Sequence, residues 1–359
     1  MNRSDDGRPL RIAYVTPYDE DYPSIQDHTA RRLEAWTAGG AIVSSFTIGG
    51  GGRARRGATQ NLLTDMRESS SLAGDVEAFG PDVVYARWLA PVPGLYKRLR
   101  RHAPLVLEVH ADDLIEVART SHLRRAYLHT FRRKELRQAS GATFVVSELA
   151  EDPSFRAIRG PRGVFGNGSW ASPRTSTPSG RPRVGISTAG VNEWTGLDRF
   201  VSLALQLDDV ADWVVVCPEA EEESVRAATG GAVEVVGTGG SEDYLAEVAS
   251  WSVAIGTLAL ERKNLRTASP LKVRDYLGLA VPTVLPYWDE GAAELDHALL
   301  LKLAARDEPP VPCIDPAVLR RFIAAAHGRS LPSELLTTMS GAGIERRRMN
   351  FLRGFRAEG

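Results

Sequence analysis

The chain has 359 residues, 43% of them hydrophobic and 25% charged, with a formal net charge of −1 at pH 7. That is globular, soluble composition, too long for one ordinary core and suited to two domains. The charge balance gives no case for nucleic acid, no apolar run approaches the roughly 20 residues of a membrane span, and MNRSDDGRPL lacks a signal-peptide core, so a cytoplasmic protein is expected. The two cysteines, Cys217 and Cys313, lie in or beside apparent strands and read as buried thiols, too few for a thiolate zinc site.

Strand-like and helix-like runs alternate along the chain. The first half offers strands at Leu10 to Thr16, Ala41 to Ile48, Val83 to Trp88, Leu105 to His110 and Thr143 to Ser147. Helical patterns fall at His28 to Ala38 and Arg119 to Gln138. The second half offers strands at Arg183 to Ser187, Trp213 to Cys217, Val233 to Val236, Val253 to Thr257 and Pro282 to Leu285, with helices at Leu197 to Leu207 and Asp243 to Trp251. Short Val- and Ile-rich strands between helices predict parallel sheets covered on both faces. The Ser-, Thr-, Pro- and Gly-rich stretch from Ser169 to Arg183 marks a linker. The expected architecture is therefore α/β: two tandem Rossmann-like, doubly wound domains with an interdomain cleft. Their bounds are 1–172 and 183–339, joined by a linker at 173–182. The tail from Glu334 is helical in pattern and basic, and a helix at about 340–359 is a candidate to pack back on the first domain.

Several features carry less weight. Asp19-Glu20-Asp21 has the Asp-x-Asp form of some metal sites, but it follows a first strand, and no metal is expected. Gly49 to Gly52, followed by Arg53, Arg55 and Arg56, does not open a helix with an apolar stripe. Gly237-Thr238-Gly239-Gly240 fits a tight strand-to-helix turn. The helix 119–138 has a basic face with Arg124, Arg125, Arg132, Arg133 and Lys134. Such a face either meets a membrane surface or an anionic acceptor, or is simply solvated.

The run from Ala268 to Val284, ASPLKVRDYLGLAVPTV, is the densest in signal. Ser269 suits a helix N-cap and Pro270 the first helical position. Leu271, Val273, Tyr276 and Leu277 supply apolar positions, and Pro282 ends the helix before a buried strand. A helix N-terminus is a ready anion site, to which Lys272 adds a charge. Asp275, one turn later, can accept from sugar hydroxyls. A plain capped helix packed on a sheet reads the same residues equally well.

The order of these pieces resembles the family 4 glycosyltransferases of the two-Rossmann GT-B type, from about Arg11 to about Glu294. Many members carry Ser-Pro-Leu-Lys, two variable residues, Glu-Tyr-Leu-Ala, a Gly and Pro-Val-Val. Here the frame reads Ser269-Pro270-Leu271-Lys272, Asp275-Tyr276-Leu277-Gly278 and Pro282-Thr283-Val284. PDVVYAR at 81–87, LVLEVH at 105–110, FVVSE at 144–148, GNGS at 166–169 and WTGLDRF at 194–200 echo further family segments.

The resemblance implies transfer of a sugar from a nucleotide-diphosphate donor to an acceptor hydroxyl, with retention of configuration and without a metal or other cofactor. It places the diphosphate at Ser269, Pro270, Leu271 and Lys272, the ribose at Asp275, and the transferred sugar near His110, with Glu108 able to orient that ring. The acceptor, unidentified, would lie on the first domain.

The chain also departs from the family. Asp is shorter than the usual Glu by about 1.5 Å. Thr267 stands where an acidic residue is usual, and Glu261 lies further back. The Arg and Lys expected after the second domain's first strand are absent from Ser187 to Gly196, which carries Glu193 instead. Arg262, Lys263 and Arg266 are the candidates to compensate at the donor sugar or diphosphate. Ala280 replaces the usual helix-ending glycine, where a left-handed cap would be strained by about 1 kcal/mol. These departures support a rival reading: a degenerate, non-catalytic relative that binds a sugar or a partner enzyme.

Overall fold

The computed structural model describes residues 8–16, 23–47, 58–88, 94–114 and 122–356. The Asp19 to Asp21 and Gly49 to Arg56 segments, residues 119–121, and the side chains of Arg124 and Arg125 lie outside what is described. The chain divides into two compact units, 1–165 with 344–359, and 166–343.

In the first unit, strands β1 (Arg11–Thr16), β2 (Ile42–Thr47), β3 (Val83–Trp88), β4 (Leu105–Val109), β5 (Gly141–Phe144) and β6 (Arg162–Val164) form one parallel sheet in the order β2-β1-β3-β4-β5-β6. Strands β3, β4 and β5 are buried at every position, as strands covered on both faces should be, and Arg87, Glu108 and Thr143 are the polar residues they enclose. Helices Pro23–Ala38, Ala58–Phe79 and His122–Leu136 are its longest connections. The C-terminal helix Gly341–Arg353 joins this unit from Ile344 onward, placing Met349 and Leu352 in a core with Ile12, Tyr14, Trp36 and Tyr85.

In the second unit, β7 (Arg183–Ser187), β8 (Asp212–Pro218), β9 (Glu234–Thr238), β10 (Val253–Ile255), β12 (Thr283–Leu285) and β14 (Leu300–Lys302) form a parallel sheet in the order β14-β12-β10-β7-β8-β9. Two short strands, β11 (Thr267–Ala268) and β13 (Trp288–Asp289), pair beside it. Each large sheet changes winding direction beside its first strand. Ligand groups in such sheets gather at the carboxyl ends near that point.

Several expectations need correction. The strand expected over Thr143 to Ser147 is β5, which ends at Phe144, because Ser147 already opens the helix Ser147–Glu151. The helix expected from His28 begins at Pro23. The continuous helical tail is two helices, Ser333–Leu336 and Gly341–Arg353. Cys217 is buried but Cys313 is exposed. Within the basic helix face, Arg132 turns inward: it is buried, forks onto Asp113 at 2.7 and 2.8 Å and lies over the Phe155 ring. Residues 166–172 group with the second unit, where Asn167 and Ser169 bond to Ser269 and Met339.

Candidate functional site

The helix Leu271–Gly278 follows β11, with its first turn on the β7 side of the second unit. Pro270 is its N-cap, with ψ 142°, and supplies no side-chain cap to the helix. Ser269 is therefore not the cap expected from the sequence. Its hydroxyl accepts from the Asn167 backbone N–H at 3.0 Å, and the Asn167 side-chain amide donates to the Ser269 carbonyl at 2.6 Å. Asn167, in the GNGS turn, thus pins the entry to the helix. Gly278 is required by close approach, since a Cβ there would meet the Ser169 hydroxyl at 1.8 Å.

Lys272 donates from Nζ to the Ser187 carbonyl at the end of β7, at 3.0 Å. Among the described residues no carboxylate pairs with it, and desolvation of its ammonium lowers its pKa from 10.5 to about 7. Part of the residue remains exposed, so it is the charged tip that protein surrounds. The Tyr276 hydroxyl accepts from the Ser187 N–H at 2.7 Å and lies 2.8 Å from its Oγ. The Tyr244 hydroxyl, 3.3 Å from the same Oγ, also donates to Asp275. Burial raises the pKa of both Tyr276 and Tyr244 above the usual tyrosine value, so both stay neutral. Lys272, Ser187, Tyr244, Tyr276 and Asp275 therefore form one cluster at the carboxyl end of β7. Tyr244 was not singled out by sequence, since a tyrosine within an amphipathic helix carries no distinguishing signal.

On the far side of the same helix, Arg274 is buried and paired with Asp289. Ala280 has φ 62°, and the Ala280 and Val281 N–H groups bond back to Leu277 and Tyr276 at 2.8 and 2.9 Å. That is a Schellman cap built without glycine.

The other predicted donor residues are placed differently. Thr267 is buried in β11. Arg262 forks onto Asp198 at 2.7 and 3.0 Å and donates to the Glu193 carbonyl at 2.9 Å. The Lys263 ammonium sits 3.8 Å over the Trp194 ring, Arg266 is exposed, and Glu261 pairs with Arg199. The loop after β7 closes on itself. The Asn192 amide donates to Thr188 Oγ1 and the Gly190 carbonyl at 3.2 and 3.1 Å, while its carbonyl accepts from the Thr195 N–H and hydroxyl at 2.9 and 2.6 Å.

In the first unit, His110 follows β4 and its Nε2 lies 3.0 Å from Glu108 Oε1. That contact is off the ideal hydrogen-bond line, and Nε2 is buried although the side chain as a whole is 20% exposed. The exposed part of the ring is thus away from Nε2. Burial lowers the His110 pKa from 6.5 to about 4 against the pull of Glu108, with Arg87 and Arg32 adding to the depression. Glu108, in a strand buried throughout, accepts from Arg32 at 2.6 Å, from the Tyr14 hydroxyl at 3.1 Å and from Arg348 at 3.3 Å. Burial works to raise its pKa, and Arg32, His110 and Arg348 outweigh that and hold it well below 4.5. Asp112 accepts from the Leu114 N–H at 2.9 Å, and the Arg132–Asp113 fork anchors the next residue. Sequence inspection found His110 and Glu108 but none of the arginines around them.

Among the described residues no helix is long and apolar enough to cross a membrane, and no group of three or more His, Cys, Asp or Glu could hold a metal ion.

No protein-family model matches the sequence, and no curated protein matches it. Solved structures do resemble the fold. A glycosyltransferase from Rickettsia africae ESF-5 superposes with a TM-score of 0.66 at 10% identity, covering 98% of this chain and 100% of that one. A UDP-forming α,α-trehalose-phosphate synthase from Burkholderia xenovorans gives 0.62 at 13% identity, covering 97% and 100%. HepE from Anabaena, in complex with UDP and glucose, gives 0.55 at 12% identity, covering 96% and 100%. At these identities the likeness concerns the fold: two Rossmann-like parallel-sheet units, the fold class of GT-B glycosyltransferases.

Proposed function

We propose that this chain is a metal-independent glycosyltransferase, related to family 4, that moves a sugar from a nucleotide-diphosphate donor to an acceptor hydroxyl with retention of configuration. The observation that carries the reading is Lys272: an enclosed ammonium without a carboxylate partner among the described residues, at a helix N-terminus. A cation so placed is completed by an anion, and a diphosphate supplies one. The fold-level likeness to nucleotide-sugar enzymes supports the same choice.

In this reading the N–H groups of Leu271 and Lys272 and the Lys272 ammonium receive the diphosphate after the Ser269-Pro270 turn. Asp275, held by Tyr244, accepts from the ribose. As the bond from the anomeric carbon to the β-phosphate oxygen breaks, negative charge grows on the departing diphosphate, where these donors already point. The acceptor oxygen bonds to the anomeric carbon and its proton passes to the leaving phosphate. His110, neutral with part of its ring exposed, offers a hydrogen bond to the transferred sugar, and the acceptor belongs on the first unit. Arg262, Lys263 and Arg266 are secondary candidates for the donor. Arg262 and Lys263 would have to leave Asp198 and Trp194 to serve.

The self-closed loop at Thr188 to Thr195 favours the second reading, a non-catalytic protein that binds a sugar or a partner enzyme, because it offers neither base to a phosphate. Calorimetry with UDP and GDP, free and as sugar conjugates, separates the two. The enzyme reading expects micromolar to sub-millimolar binding of at least one, weakened by Lys272→Met. No heat with any of them at millimolar concentration would sink it.

A further inference from the structure

The C-terminal helix carries two charges that the reading above leaves unused. Glu345 and Arg348, one turn apart, each expose only 2% of their side chains. Arg348 Nη1 donates to Glu345 at 3.0 Å and to Glu108 at 3.3 Å. From the helix Pro23–Ala38, Arg32 spans the same two carboxylates, at 3.2 Å to Glu345 and 2.6 Å to Glu108. The Trp36 indole donates to the other Glu345 oxygen at 3.1 Å. Two guanidiniums and two carboxylates thus close a neutral ring, its C-terminal pair 240 residues from Glu108 and 313 from Arg32 by the bonds that join them, with His110 against its edge.

A carboxylate 3.0 Å from an imidazole ordinarily draws a proton onto the ring. Glu108 does pull that way, but burial outweighs it together with Arg87 and Arg32, and part of the Glu108 charge is engaged by Arg32 and Arg348. We infer that Glu345 and Arg348 are positioning residues for His110: through Glu108 they fix the contact at Nε2 and limit the pull of that carboxylate on a proton, so that the buried imidazole stays neutral. The other groups facing this cluster are Tyr14 from β1, Arg87 and Tyr85 from β3, and His28 and Arg32 from the helix Pro23–Ala38. Arg87 and Arg32 oppose a proton on His110, and burial with Arg32 and Arg348 opposes one on His28. Losing Arg348 leaves two carboxylates against one guanidinium in the ring, and His110 is the base in contact with the excess charge. The role of His110 in transfer rests on the proposed function; its neutrality does not, and is measured without nucleotide.

The test is NMR of the full chain labelled at the histidine ring carbons, titrated from pH 8 to 5, with His110 assigned by His110→Gln. The native ring should stay neutral throughout. Arg348→Met should raise its midpoint by roughly 1–2 pH units, the range for an altered neighbouring charge. Arg348→Lys, which keeps the charge, should return it towards the native value. The paired variant Glu345→Gln with Arg348→Met removes one charge of each sign and should also leave the ring neutral. A native midpoint at or above 6.5 overturns the inference, as does an equal rise in the single and paired variants. Should Arg348→Met not fold, the native titration and Arg348→Lys decide: a midpoint in Arg348→Lys more than about one unit above native is equally fatal.

Discussion

The carboxyl ends of the two sheets solve opposite electrostatic problems. In the first unit, Arg32, Glu108, Glu345 and Arg348 satisfy one another in the interior, and His110 borders a balanced ring. In the second, Lys272 donates to the Ser187 carbonyl, and among the described residues no carboxylate pairs with it. A balanced ring rigidifies a site and needs nothing from a ligand. An unbalanced ammonium is a deficit that an anion fills. The contrast separates a region whose buried charges cancel one another from one that leaves an ammonium without a paired carboxylate among the described residues.

Breaking the ring should have the largest effect. Glu108→Ala strands two guanidiniums and should destabilise the chain by about 3–5 kcal/mol in urea unfolding. Lys272→Met should do the reverse without ligand, holding or raising stability near pH 7, while weakening diphosphate binding by about 1.5–3 kcal/mol in calorimetry. The two regions should also differ in pH window. His110 titrates at about 4 when folded against 6.5 ordinarily. The unfolded chain therefore binds the extra proton between those values, and this contribution is lost as pH falls from 6.5 towards 4. For Lys272 the folded value is about 7 against 10.5. The unfolded chain again binds the extra proton, so stability rises with pH from about 7 to 10.5, by at most ~1.4 kcal/mol per pH unit. Lys272→Met should flatten that upper slope and leave the acid limb unchanged; unchanged upper slopes would disprove the ammonium's enclosure. Asp275→Asn should weaken nucleotide binding by about 1–3 kcal/mol, and unchanged affinity would place the ribose contact elsewhere. The smallest effect is outside both regions: Ala280→Gly should stabilise by about 0.5–1 kcal/mol by relieving a left-handed alanine, read from the thermal midpoint.

Local pattern made the alternation of buried strands and helices legible, because a parallel strand covered on both faces must be apolar along its length. It also exposed Glu108 as a carboxylate inside such a strand, and Lys272 at a helix start where the dipole disfavours a cation. The left-handed turn at Ala280 is what the resemblance implies, since the family's helix ends there on a glycine. The Ser269 cap did not survive, because Asn167, about a hundred residues away, takes that hydroxyl, and one-dimensional capping rules see only neighbours. Arg132 reads as part of a basic face, and nothing marks Arg348 or Glu345 within the basic tail, since helical period alone cannot say which charged side chain has a buried partner elsewhere. By itself, then, the sequence determined the elements and the few residues that violate their local preferences. Only the tertiary structure decided which charges cancel and which stay without a counter-charge, because electrostatic balance depends on distance in space and desolvation, and neither is written in the order of residues.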